Sequence, residues 1–321
     1  MIYERIGINV FLTNSEGIEA GDFLERCSDF IVIERSFPPT NNEGKFYAYF
    51  LVKSGLSTES AVKIILTLIH KGKAFYYGLK DSNSLSVQNI VLTEFVGKNL
   101  CFGGKARLIY QGKTDFIPKK GGFNSNIFAI KFPDSIDAEK TLEEIKKLKA
   151  FPNFFGHQRF GFHEPFNHEI AIKLLKDGKL NTRSWKGEFL AESLQSYIFN
   201  VCLSRIDFKE DYNSKMGILL GTRHKEALKK KVLLKDHYEC SLEVAEKLGI
   251  LELIEGKDFL KYQLRPLFIK NPLIKYYKSK EKLIAIAKMP PGSYASLIIR
   301  EVFKNDESWM NKKCVAEKVC K

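Results

Sequence analysis

The strand-forming segments of this 321-residue chain fall near its two ends, and the long stretch between them reads mainly as helix. That order restricts the fold to an α+β core with a helical insertion. Phe30–Glu34 and Lys45–Lys53 read as strands, with Pro38, Pro39 and Asn41–Gly44 as the connection between them. A helix follows, capped by Ser57 or Thr58, with Val62, Ile65, Leu66 and Ile69 at helical spacing and Gly72 as its stop. Ala74–Leu79 returns to strand character. Lys80 to Ser84 is polar and turn-forming, which puts Asp81 in a loop at a strand end. Val87–Phe95 and Ala106–Tyr110 are further strands. A helix over Asp137–Lys149 takes Asp137 as its N-cap. From Glu164 to Lys282 the pattern is mainly helical, with Glu188–Arg205 and Leu242–Leu253 as its clearest helices. Leu283–Lys288 is a strand again, and the apolar spacing of Ser293–Phe303 fits strand or helix.

Charge narrows the function. The chain carries 51 Lys and Arg against 38 Asp and Glu, a formal charge of +13. Such a surplus favours polyanionic partners, because each cation set against a phosphate releases condensed counterions. The 25 Phe and 13 Tyr add aromatic faces on which unpaired bases stack, although most of them belong to the core. Lys225–Lys235 is a basic run, in itself an ordinary solvated face. The six cysteines, at 27, 101, 202, 240, 314 and 320, show no C-x-x-C spacing and read as scattered thiols of a reducing, cytoplasmic protein. No signal peptide and no membrane-spanning run is expected.

Cofactor motifs are missing from the pattern. Gly97–Lys105 has the wrong spacing for a phosphate loop, and no G-x-G-x-x-G follows a strand. His163 and His168 do not form H-E-x-x-H, so no metal is expected. No G-x-S-x-G elbow is present.

Three dense motifs remain: GLKDSNSLSVQ (78–88), NFFGHQRFG (153–161) and PPGSYASLIIRE (290–301). Taken alone, a Lys-Asp pair after a strand is an exposed turn. The second motif sets three Phe among amides, an Arg and two Gly, a mixture suited to stacking, edge contacts and phosphate binding. In this order the three resemble the TruD family of pseudouridine synthases, with its G-x-K-D-x-x-A-x-T-x-Q, N-Y-F-G-x-Q-R-F-G and P-A-G-S-[YF]-A-T…R-E segments. Asp29–Glu34 (DFIVIE) and Leu194–Asn200 (LQSYIFN) agree with weaker family marks. The chain departs from the pattern at Ser84, Ser86, Val87 and Phe154. Leu24 stands where the family often has a Lys.

The resemblance implies a catalytic domain built from residues 1–162 and 283–321, with a TruD insertion domain over 163–282. It implies isomerisation of a uridine in tRNA, usually at position 13, to pseudouridine, by a monomer without metal or nucleotide. Asp81 would be the catalytic carboxylate, attacking the ribose anomeric carbon or taking the 2′ proton. Phe30, Asn153, Phe155 and Tyr294 would line the pocket of the flipped base, with Lys80 and Arg159 also on the substrate. Lys80 is adjacent to Asp81, but neighbours on a strand point opposite ways, so Arg26 or Arg159 is an equal candidate for its cation partner. The competing readings are a non-catalytic RNA-binding or RNA-folding protein of the same fold, and a nucleotide-dependent RNA enzyme, which the missing cofactor loop disfavours.

Overall fold

The computed structural model describes residues 1–41, 43–69, 72–119, 121–208 and 214–320. The chain forms two compact units. A sheet unit comprises Ser15–Lys146, Pro272–Ala295 and Ser308–Lys321, and a helical unit comprises Met1–Asn14, Lys147–Asn271 and Ser296–Glu307.

The sheet unit holds nine strands: β1 (Phe30–Arg35), β2 (Phe46–Ser54), β3 (Ala74–Tyr76), β4 (Leu85–Leu92), β5 (Asn99–Phe102), β6 (Ala106–Thr114), β7 (Ser125–Pro133), β8 (Leu273–Ser279) and β9 (Lys282–Met289). Their order is β8-β9-β7-β1-β4-β2-β6-β5, with β3 also paired to β4. One edge of β4 is shared. β1 runs parallel to Leu85–Val87 and β3 antiparallel to Ile90–Leu92. β4 is accordingly buried along most of its length, as a central strand must be. β2 shows period-2 burial with Tyr49, Leu51 and Lys53 on one side, all nearly inaccessible. Gly112 in β6 sits at φ 141° beside the register shift at Ala48, where a Cβ would crowd Thr40.

Helix α1 (Thr58–Leu68) begins at Ser57, whose hydroxyl accepts from the Ser60 N–H at 3.1 Å. Its apolar positions Ala61, Val62 and Ile65, with Ile69 just beyond its end, pack on Tyr49, Leu51, Ile90, Leu92 and Leu108. Each fully buried Val or Ile contributes roughly 1.5–3 kcal/mol. Helix α2 (Ile136–Lys147) is capped by Ser135, not by Asp137, because the Ser135 hydroxyl takes the Asp137 N–H at 3.2 Å.

Residues 312–320 lie along this unit. The Asn83 amide donates to the Lys312 carbonyl at 2.6 Å and accepts from the Cys314 N–H at 3.2 Å. Val315 pairs with Glu25 and Cys27, and Glu317 accepts from the Ser28 N–H and hydroxyl. Disulfides Cys27–Cys314 and Cys101–Cys320 fasten the same segment, and Cys202–Cys240 joins two helices of the other unit. The expectation of scattered thiols is therefore corrected. Cysteines as far apart as 287 residues in sequence meet because the tail returns to the sheet, and no spacing rule registers such a meeting.

In the helical unit, α3 (Asn167–Lys176), α4 (Trp185–Leu203) and α5 (Lys235–Lys247) pack through Ala171, Leu190, Leu194, Ile198, Val244 and Ala245. The expected Leu242–Leu253 helix is broken: α5 stops, Gly249 turns at φ 65°, and a short helix resumes at Leu251–Glu255. The region read as mainly helical also contains strands. Met216–Leu219 pairs with Gln263–Pro266, Phe268–Lys270 pairs with Ala150–Pro152, and Leu273–Ser279 joins the large sheet as β8. Ser296–Phe303 resolves as a helix, α6, buried on every side. Among the described residues no helix is long and apolar enough to cross a membrane.

Candidate active site

The segment between β3 and β4 carries Lys80 and Asp81, in the loop at a strand end where the pattern put them. Its main chain is tied from several sides. The Lys80 N–H donates to the Thr58 hydroxyl at 2.8 Å, and the Thr58 N–H donates to the Lys80 carbonyl at 3.3 Å. The Thr58 hydroxyl lies 2.6 Å from Gln88 Oε1, and Gln88 Nε2 reaches the Gly78 carbonyl. Gln88, the last residue of the first motif, thus serves the loop from inside the sheet. Lys53 donates through Nζ to the Lys80 and Asp81 carbonyls, both at 3.0 Å. Ser84, where the family has Ala, donates its hydroxyl to the Asp81 carbonyl at 3.0 Å.

The two side chains diverge, as alternation requires. Lys80 is buried and pairs with the buried Glu34 at 2.7 Å, its ammonium 4.9 Å from the Phe123 ring centre. Glu34 also accepts from the Asn89 N–H and side-chain amide. Asp81 is exposed. Surrounding protein atoms push its carboxyl above the ordinary carboxylate range through lost hydration, while Lys53 and then Lys80 pull it down. The open side chain keeps contact with water, so the upward push is weaker than full burial imposes. Burial pushes the Lys53 ammonium down to about 8, with Asp81 opposing and Lys80 reinforcing that shift.

The cations acting on Asp81 are therefore Lys53 and Lys80. Arg26 is exposed, and Arg159 is paired with Glu192 at 2.6 Å. Lys53 went unnoticed in the motif reading. Its signal was available: a Lys in step with Tyr49 and Leu51 on the buried side of a strand.

The other expected site residues divide between the units. Phe30 and Tyr294 belong with Asp81 to the sheet unit; Asn153, Phe155 and Arg159 belong to the helical unit. Phe30 is half-buried and stacks on Phe128, centroids 5.8 Å apart and planes 23° off parallel. Tyr294 is half-buried in the Pro290–Gly292 turn region. Asn153 is 4% exposed. Its amide donates to the Pro266 carbonyl at 3.0 Å and accepts from the Arg265 guanidinium at 2.8 Å. Arg265, absent from the motif reading, also lies 3.9 Å from the Phe155 ring centre. The main chain of Phe155 is bracketed by the Asn200 amide, which donates to the Phe155 carbonyl at 3.0 Å and accepts from its N–H at 2.8 Å. The Phe-Asn ending of the LQSYIFN segment has that task. The Arg-Glu pair of the third motif works in the helical unit: Glu301 accepts from the Leu12 N–H and from the Thr13 N–H and hydroxyl.

A sequence profile described as tRNA pseudouridine synthase D (TruD) matches residues 5–181. "Probable tRNA pseudouridine synthase D" of Saccharolobus solfataricus is 27% identical over 285 residues, covering 83% of this chain and 71% of its own length. The tRNA pseudouridine synthase D of Helicobacter pylori strain 26695 is 26% identical over 359 residues, covering 87% and 92%. A crystal structure from Methanosarcina mazei, described as "Putative tRNA pseudouridine synthase D (TruD)", shares the fold with TM-score 0.69 at 18% identity, over 94% of this chain and 98% of its own. With the profile spanning more than half of its length and relatives matching most of the rest, this chain belongs to the TruD family.

Proposed function

We propose that this protein converts a uridine in tRNA to pseudouridine, at position 13, with Asp81 as its catalytic carboxylate. The observation that carries the reading is Asp81 itself: an exposed carboxylate on a main chain held by Lys53, Thr58 and Ser84, with the Lys53 and Lys80 ammoniums acting on it. The isomerisation breaks the N1–C1′ bond, turns the uracil, forms C5–C1′ and moves the C5 proton to solvent while N1 gains one. An ionised carboxylate suffices, acting either as nucleophile at C1′ or as base at the 2′ position, and neither route calls for a redox or phosphate-transfer partner.

The aromatic residues Phe30, Phe155 and Tyr294 are assigned to holding the unstacked base, and Asn153 to its polar edge. Lys80, paired with Glu34, and Arg159, paired with Glu192, are assigned to the substrate as well. RNA as partner is supported by a groove of about 450 Å³ in the helical unit, lined by Lys215, Lys229, Lys230, Lys231 and Lys235, with Asp236 as its one acid among the described residues. Five lysines round one hollow repel each other until a polyanion fills it. The protein is further assigned to the cytoplasm as a monomer.

The test is pseudouridine formation in unmodified tRNA transcripts with buffer and salt only, wild type against Asp81→Asn. Product from wild type and a loss of about 10³-fold or more in the variant is expected, with tRNA binding retained. Mapping the product checks position 13. Binding without product from wild type would replace this reading by that of an RNA-binding protein, which has no use for the carboxylate.

A further inference from the structure

Lys53 is a costly residue to bury in the sheet unit. Its ammonium is inside the protein, fully removed from solvent, at a position where β2 otherwise presents Tyr49 and Leu51. Removing an ammonium from water is expensive, and an apolar side chain of similar volume at the same place is commonly neutral or better for stability. The side chain therefore contributes something other than packing.

Its contacts say what. Nζ lies 3.0 Å from the carbonyl of Lys80 and 3.0 Å from that of Asp81. These two oxygens belong to the peptide units on either side of the Asp81 Cα. Each has a second donor: the Thr58 N–H at 3.3 Å on the first and the Ser84 hydroxyl at 3.0 Å on the second. Both peptide planes flanking the Asp81 Cα are thereby held, which fixes the direction of its Cα–Cβ bond. The ammonium also supplies positive charge beside the carboxylate. Small errors of aim are expensive in a reaction that depends on one positioned group.

We propose that Lys53 is a positioning residue for the uridine reaction, acting through its bonds to the Lys80 and Asp81 carbonyls and assisted by Ser84. It does not touch the RNA. The inference rests on the reading of Asp81 as the catalytic carboxylate.

The experiment compares wild type with Lys53→Met, Lys53→Arg, Ser84→Ala and Asp81→Asn. Single-turnover rate, tRNA dissociation constant and melting temperature are measured for each on the same unmodified tRNA. Lys53→Met is expected to slow the reaction by about 10²-fold while changing tRNA affinity by no more than about twofold. Lys53→Arg, which keeps charge and donors, is expected to recover about tenfold of that loss. Ser84→Ala, a small change that spares the fold, is expected to slow the reaction by about threefold to tenfold. A Lys53→Met protein that melts earlier yet reacts within about threefold of wild type per folded molecule, with no gain from Arg, would overturn the proposal. If Lys53→Met does not fold, an unaltered rate in Ser84→Ala overturns it instead. Activity surviving in Asp81→Asn would remove the underlying reading, a result distinct from either.

Discussion

Two groups of buried charges hold the molecule's two units, and they are built on opposite plans. In the sheet unit Lys80 and Glu34 form a private pair, and each has few other polar partners. In the helical unit Glu301 is a hub. It meets Arg300 at 3.3 Å, Lys304 at 3.2 Å, two backbone N–H groups and the Thr13 hydroxyl, and Arg300 continues to the Val10 carbonyl. The hub spends every charge on closing residues 8–13 against α6. The sheet unit instead saturates the main chain round Asp81 and leaves that carboxylate open. A structural network distributes its charge over many partners; the network proposed as reactive withholds one group from all of them.

The sharpest way to break the contrast is to remove one charge from each. Lys80→Met strands Glu34 in the interior and is expected to destabilise by about 3–5 kcal/mol, with activity falling beside it. Chemical denaturation and tRNA turnover together check this. Next in size is the tail. Cys314→Ser is expected to lower stability by about 2–4 kcal/mol under non-reducing conditions, and thiol reductant, which opens the other two bridges as well, should lower wild type at least as far. Equal midpoints with and without reductant would mean that the pair is not formed in solution. Glu301→Gln retains an acceptor and is expected to cost about 2 kcal/mol, with turnover per folded molecule preserved. Loss of turnover at full stability would make the hub part of the chemistry and erase the distinction.

The smallest effect concerns pH. The folded-state pKa of Asp81 is raised, so the unfolded chain gives up this proton more readily. Ionised Asp81 therefore disfavours the fold at neutral pH. Asp81→Asn should melt slightly higher than wild type at pH 7, and the gap should close as pH falls below about 4, where both states carry the proton. Activity should decline with acid from a midpoint above that value. A variant melting lower at pH 7 would show that Lys53 and Lys80 outweigh the lost hydration.

Much of this was legible in the sequence. The α+β class, the loop position of Asp81, α1 with a cap at Ser57 or Thr58 and the family itself follow from local pattern and motif order, and the structure chooses Ser57. Other features were not. β7 passed unmarked although Phe128, Ile130 and Phe132 alternate inward and the Gly121-Gly122 turn stands before it. Met216–Leu219, Gln263–Pro266 and Phe268–Lys270 are short strands with remote partners, so periodicity does not separate them from helix. The roles of Lys53, Glu34 and Arg265 depend on which carbonyl or carboxylate tertiary folding brings to them. A sequence reports a charged residue in an apolar register, not the group that answers it.

The order of the strands has a consequence for how the protein is made. The sheet starts with β1 to β7, residues 30 to 133, and is completed by β8 and β9 only after the chain has passed through residues 147–271. Until then β7 presents a bare edge to the ribosome's surroundings. Asn83, two residues from Asp81, lacks Lys312 and Cys314 for longer still. A nascent chain stalled in the middle would carry the whole Asp81 loop and an unfinished sheet, open to pairing with its neighbours on the polysome.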